Sequence, residues 1–580
     1  MNKNMLRTFA TVFLCGSFSA IAQNNDTTST NDLQEEIKIF KNYIPEISRV
    51  NKKNQQPLFL DSVYIKENLQ YQVKKIVLKV DENNHLLNTI DYKKPLKDEL
   101  SSYALFGYAT DKRPMGEISL SNKISEKSKY GIFVRHYSEN RNDDKIHYQD
   151  RSENEAMAYF DFMDEGITFK SNIGYKRFQL NSDLVDTISF IPPGADFTVI
   201  PEGNEMKNDT RNHQLISGDF SIEQNGPKKL VQKVNFNIKH GFNNFDASET
   251  YVDFGSKWNI PLKKHNIIAN LDFITVDHEA ETKSKDGRLS HFQFDPTFYG
   301  QEGKFSFQLG INGYLLIHEM NETTSDLLLN VNNSDDNYKV YPKIHASYQL
   351  NENTNIQVGF KGEYGIYTFV EALAFTPFIS PSLNALPVPS SYSIPTNTYL
   401  GISTKLLSNL DINVNLSYKK YDRFQNYVKS LGVGFKDHQL YIHPYYIDLK
   451  VMTLNIEANY KLDSKTTILG KLEYNKYEDY PSGLNLSHLP DLKMNIDGKY
   501  IFDEKLSAFA GVQFVSSHYS LNQVDKIDAY ADLSVGTSYD LTNRFSMSLQ
   551  IRNLLNNEIE TNQGYISNGF NLLLSTRVKF

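Results

Sequence analysis

Asn571-Leu572-Leu573-Leu574-Ser575-Thr576-Arg577-Val578-Lys579-Phe580 closes the chain. Taken two at a time, Leu572, Leu574, Thr576, Val578 and Phe580 share one side of an extended segment. Asn571, Ser575, Arg577 and Lys579 share the other, with Leu573 the exception. A period of two is that of a β-strand, because successive side chains point to opposite faces. This strand therefore has one oily and one wet side. A soluble sheet can also end that way, so the rest of the chain has to decide what the oily side faces.

The same alternation recurs upstream. Phe545, Met547, Leu549 and Ile551 alternate with Ser546, Ser548, Gln550 and Arg552. Ile412, Val414, Leu416 and Tyr418 alternate with Asn413, Asn415, Ser417 and Lys419. Leu454, Ile456, Ala458 and Tyr460 alternate with Asn455, Glu457, Asn459 and Lys461, and Val234, Phe236 and Ile238 with Lys233, Asn235, Asn237 and Lys239. Half-exposed soluble sheets share this pattern, but two features separate the cases. The segments run to about 10–15 residues, whereas soluble strands cluster near 5–6; a tilted strand needs roughly ten to cross a bilayer. The connections also sort into two sets. Tight ones fall near Glu126, Asp164, Gly226, Pro261, Gly300, Asn353, Ser408, Ser464, Asp503 and Thr542; the intervening ones are mostly long, at 140–152, 181–208, 319–335, 369–396, 426–446 and 554–568. Short periplasmic turns and long outer loops are the topology of bacterial membrane barrels. The expected fold is all-β, a transmembrane antiparallel β-barrel of about 22 strands over 101–580, with both ends in the periplasm.

Composition agrees. The chain of 580 residues holds 36 Tyr and 36 Phe, which suits aromatic girdles at two membrane interfaces. Mean hydropathy is −0.48, a soluble-looking average that barrels reach because half of each strand faces water. Net charge is −8 with the signs interspersed, and no basic stripe marks a nucleic-acid partner. Residues 1–22 read as a signal peptide, with Lys3 and Arg7 ahead of an apolar run and Ala20-Ile21-Ala22 before the cut. Cys15, the single cysteine, lies in that run behind Val12-Phe13-Leu14, which lack the small residues a lipidation signal prefers. Cleavage at Ala22 leaves no thiol for a disulfide, a metal site or a nucleophile.

The Phe-terminated strand, with Leu574, Thr576, Val578 and Phe580 on its oily side, resembles the C-terminal assembly signal of outer-membrane barrels. The strand count and Ile551-Arg552-Asn553-Leu554-Leu555-Asn556 before the last hairpin resemble the barrel of TonB-dependent receptors. Tyr43-Ile44-Pro45, Asn51-Lys52-Lys53, Pro57, Asp61 and Tyr71, then Phe106-Gly107-Tyr108, Tyr130-Gly131 and His136, are similar to plugless receptor-like barrels of Bacteroidetes. So are Pro377-Phe378, Ser380-Pro381-Ser382-Leu383 and Pro395-Thr396-Asn397. The resemblance implies a conduit or ligand-binding platform at the cell surface. Its implied partners are outer-membrane lipid and lipopolysaccharide, the barrel-assembly machinery, and a surface lipoprotein or periplasmic protein. Transporting members carry a plug of roughly 130 residues inside the barrel; residues 23–100 are shorter and show no Arg-Gly-rich plug sequence or TonB box. This extension, partly disordered by composition, is read as threading the lumen or as a periplasmic tail.

No catalytic constellation stands out: there is no HExxH, no GxSxG at a strand–helix turn and no phosphate loop. No cofactor or metal site is expected. His136 and His147 around Asp143-Asp144, and Asp277, His278, Glu279 and Glu281, read more simply as solvated strand ends than as metal ligands. The interaction candidate is the loop 369–396, with Phe375, Pro377, Phe378 and Leu383 unusually apolar for an exterior segment. Such a loop either contacts a partner or folds inward over the lumen.

Overall fold

A computed structural model describes residues 102–580 apart from 111, 141–147, 183–208, 225–228, 245, 264, 280–286, 321–336, 376–389, 432–439, 522, 563–564 and 567–568. The expected N-terminal extension and signal peptide lie outside the described residues.

Twenty-two strands form one sheet. They are β1 Tyr103–Ala109, β2 Arg113–Ser125, β3 Ser128–Asn140, β4 Tyr148–Asp164, β5 Ile167–Ser182, β6 Asp209–Gln224, β7 Val231–Asn243, β8 Ser248–Leu262, β9 His265–Glu279, β10 Gly287–Glu302 and β11 Phe305–Met320. Then follow β12 Tyr338–Asn351, β13 Thr354–Tyr367, β14 Ser390–Leu407, β15 Leu410–Leu431, β16 Leu440–Lys461, β17 Thr466–Glu478, β18 Leu492–Ile501, β19 Leu506–Val515, β20 Tyr530–Asp540, β21 Phe545–Arg552 and β22 Asn571–Lys579. Each pairs antiparallel with the next, and β22 returns to β1 in the register Tyr103↔Lys579 to Ala109↔Leu573. Closure satisfies the backbone groups that hydrocarbon would otherwise leave unpaired.

The alternation sorts by face as the sequence implied. Leu120, Ile132, Ala158, Ile173, Gly218, Ile238 and Val252 are successive cross-strand partners and make one outward-facing row. In β22, Leu574 and Val578 are exposed on that outer face, while Leu573, the break in the pattern, is buried on the inner one. The tight turns lie at one end of the barrel, and the strands that flank the long connections end at the other.

The wall is uneven. β15 and β16 have 22 residues each, whereas β21 has 8. At ~3.3 Å per residue a 22-residue strand is about 70 Å long, far more than the roughly ten residues a crossing needs. The β15–β16 hairpin is therefore far longer than a bilayer crossing needs, and most of the expected loop 426–446 is strand. A β-bulge explains the discrepancy: the β15–β16 register shifts between Tyr421 and Phe424, and Arg423 takes φ 63°. An inserted residue reverses which parity faces inward, so a strict period-two reading stops there although the strand continues. β14 likewise starts at Ser390 rather than 397, because its register shifts between Ser393 and Thr396, around Pro395.

Candidate functional site

The inner face changes character along the barrel axis. Toward the end with the tight turns it is polar and cross-braced, as alternate lysines and acids on neighbouring strands predict. Lys129 pairs with Asp161 at 3.5 Å, Lys233 with Glu223 at 2.7 Å and Lys471 with Glu457 at 3.3 Å. Midway, Lys343 reaches Asp295 at 2.7 Å and Lys361 reaches Glu363 at 2.9 Å. Asp295 is buried and also accepts from Asn270 Nδ2 at 3.0 Å and Thr297 Oγ1 at 2.8 Å. Paired charges of both signs brace a wall; a charge-selective pore would show one sign.

The outer third is apolar and aromatic. Ile274, Val276, Leu289, Tyr314, Leu316, Tyr341, Tyr364 and Ile366 form one buried cluster across β9–β13. The His291 ring stands edge-on to Tyr314 at 5.6 Å and to Tyr364 at 5.5 Å. Val276 has no exposed surface at all. Large inward side chains of the neighbouring strands, Tyr251 of β8 among them, cover the wall there.

On the β6–β8 side that cover is a short helix, α1 (Phe369–Phe375). Its start is a capping box: the Glu371 amide donates to Thr368 Oγ1 at 3.1 Å, and the Thr368 amide to Glu371 Oε2 at 3.4 Å. The Phe369 amide donates to both carboxylate oxygens of Glu249 on β8, at 2.9 and 2.8 Å. Glu249 is buried, with His278 of β9 buried beside it at 3.9 Å. The Phe369 ring meets His213 of β6 at 5.8 Å. A Cβ at Gly241 would come within 3.3 Å of Val370 Cγ2, so the glycine lets the helix approach β7 closely.

On the other side, two outer connections fold in. Leu486 and Leu489 pack with Ile447, Leu449 and Val451 of β16 and with Tyr421 and Phe424 of β15. The His488 amide donates to the Tyr519 carbonyl at 2.9 Å, and Asn485 Nδ2 to the Gln523 carbonyl at 2.7 Å. Gln523 Nε2 in turn donates to Tyr445 Oη at 2.8 Å. The outer mouth is thus narrowed from two sides by loops of the chain itself.

No family model and no curated protein matches the sequence. Solved structures do match the fold. The FrpB iron transporter from Neisseria meningitidis superposes with a TM-score of 0.62 at 10% identity, over 84% of this chain and 82% of that one. The ferric-catecholate import receptor Fiu from K12 E. coli gives 0.59 at 10% identity, over 83% and 82%. The copper transporter OprC gives 0.59 at 10% identity, over 83% and 80%. The chain shares their fold, which here is a closed barrel of 22 strands. These neighbours are receptors and transporters rather than enzymes.

The sequence-derived candidates divide between described and undescribed parts of this barrel. Leu574, Thr576 and Val578 lie on the outer face, and Phe580 is exposed at the rim that carries the tight turns, where its amide donates to the Ser102 carbonyl at 3.0 Å. Phe375 ends α1; Pro377, Phe378 and Leu383 lie outside the described residues. At the start of that loop Phe369 and Ala372 are buried. Alternation separates the run Asp277-His278-Glu279: His278 faces in and is buried, whereas Asp277 faces out, half-buried, and pairs with Arg288. His136 is exposed and bonded to Asn154 at 2.8 Å. Among the described residues no three His, Cys, Asp or Glu side chains gather as a metal site would need. Sequence reading missed Glu249 and His213 as helix anchors. The capping pattern Thr368-x-x-Glu371 was the available signal for the helix; nothing local pointed to its partners.

Proposed function

We propose that the chain is a TonB-dependent receptor-like barrel of the outer membrane, serving as a conduit or ligand-binding platform at the cell surface without a full plug domain. In this reading residues 1–22 are an export signal, residues 23–100 enter the lumen from the periplasmic mouth, and the chain is of the plugless Bacteroidetes type. The supporting observation is the outer mouth: a wide closed barrel whose lumen is narrowed by α1 and the 479–491 and 516–529 connections, against an aromatic wall. A 22-stranded bore needs such narrowing to avoid leakage, and an aromatic, partly polar vestibule is a surface on which ligands dock. The C-terminal residues Leu574, Thr576, Val578 and Phe580 serve recognition by the barrel-assembly machinery.

Planar-bilayer recordings test the conduit reading. The full chain should give small or gated currents, and a chain lacking residues 23–95 larger ones. Silence from both forms overturns it. The cross-braced inner wall favours a second reading, a non-transporting structural subunit of a surface assembly. That reading expects silence together with a stable protein partner co-purifying in mild detergent.

A further inference from the structure

The outer wall carries a polar patch that the lumen does not use. His136, Asn154, Arg177 and Gln214, on β3 to β6, are successive cross-strand partners and stand in one row. The next row toward the periplasm is Val134, Ala156, Tyr175 and Ile216, with Val134 and Ile216 among the exposed lipid-facing side chains. The polar row therefore faces outward, where the hydrocarbon band ends on the cell-surface side.

Arg177 is oriented by neutral amides: its Nε donates to Asn212 Oδ1 at 3.0 Å and its Nη2 to Gln179 Oε1 at 2.7 Å. Tyr175 Oη donates to Gln214 Oε1 at 2.8 Å. Other outward cations near this rim are matched by acids: Arg288 by Asp277, Lys420 by Asp422 at 3.3 Å, Lys450 by Asp479, and Lys476 by Glu478 at 2.6 Å. Among the described residues no acid pairs with Arg177. On β3–β6 the outward positions carry carboxylates only at Asp150, two rows farther out, and at Asp164, beside the periplasmic turn.

A guanidinium that no described acid neutralises, set among amides directly above an apolar strip, matches a molecule with three parts in that order: phosphate, sugar hydroxyls and acyl chains. Guanidinium forks bind phosphate with matched geometry, and amides bind sugar hydroxyls. We propose that this patch docks a phosphorylated glycolipid of the outer leaflet, its phosphate on Arg177, its sugars on Asn154, Asn212 and Gln214, and its acyl chains along Val134, Ile173 and Ile216.

Native mass spectrometry of the full chain in mild detergent tests this, with three probes: a bis-phosphorylated acylated diglucosamine, its dephosphorylated form, and inorganic phosphate. The phosphorylated glycolipid should bind, and Arg177→Gln should weaken it by about tenfold, the loss of one charge-assisted contact. Lys450→Gln, at a cation already paired, should leave binding unchanged. If Arg177→Gln does not fold, the double variant Asn154→Leu/Gln214→Leu keeps the charge and should still weaken binding about threefold or more. Equal affinity in the wild type and these variants overturns the proposal. So does equal binding of the dephosphorylated form, or full displacement by inorganic phosphate, which would mark a site for free anions.

Discussion

Removing the Glu249 carboxylate should release α1 from the barrel wall. Both carboxylate oxygens accept the Phe369 amide, at 2.9 and 2.8 Å, in a place with almost no solvent access. A hydrogen bond to a charged group contributes about 1.5–3 kcal/mol net. Glu249→Ala should therefore cut the free energy of local opening by about 2 kcal/mol, which is roughly a 30-fold rise in the open population. Cys15 is the only cysteine, so a chain cleaved after Ala22 is already a thiol-free background. Ala372, buried in α1, is a near-isosteric position for a reporter thiol. Maleimide labelling of Ala372→Cys should be slow in this background and accelerate about 30-fold when Glu249→Ala is added. Glu249→Gln, which keeps one acceptor oxygen without the charge, should fall between. Labelling that changes less than about threefold with Glu249→Ala would refute the idea that this carboxylate holds the helix, since the expected effect is ten times larger.

Other positions give sharper tests of the barrel itself. Ile132→Arg places a charge on the lipid face and should destabilise the protein in vesicles by about 2–4 kcal/mol, measured by reversible urea unfolding. An equally stable variant would mean that this face does not meet hydrocarbon. Asp295→Asn strands Lys343 in a part-buried wall and should cost about 3 kcal/mol in the same assay, while Asp295→Asn/Lys343→Met should recover part of it. An unrecovered double variant would show that the pair does not act as a unit. Two tight turns should make stability depend on acid. Asp463 Oδ1 accepts the Lys465 and Thr466 amides, both at 2.7 Å, and Asp503 Oδ1 those of Lys505 and Leu506, both at 2.8 Å. Those backbone donors hold both carboxyls below their ordinary value. A depressed folded value stabilises above the ordinary carboxylate value near ~4 and is lost as pH falls through the folded one. The double variant Asp463→Asn/Asp503→Asn should unfold with a flatter pH profile below about 4, and an unchanged profile would remove these turns from the acid response.

Much of the barrel can be read locally, because a strand between lipid and water carries a two-residue rhythm that no distant contact can alter. Leu572 to Phe580 and Ile412 to Tyr418 show it plainly, and even the exception at Leu573 lands on the inner face as parity requires. Where the rhythm was misread, at Tyr421–Phe424 and around Pro395, a bulge had shifted parity within a continuing strand. The mouth was legible only in part. Thr368-x-x-Glu371 is a local helix signal, but Glu249 lies 120 residues away from the amide it holds. A lone outward arginine among amides looks in one dimension like any other polar strand end; it becomes distinct when pairing brings Asn154, Gln214 and Asn212 beside it. Periodicity along one strand reports the solvent on each face, whereas the partners across strands and loops follow from register and closure, which only the folded chain supplies.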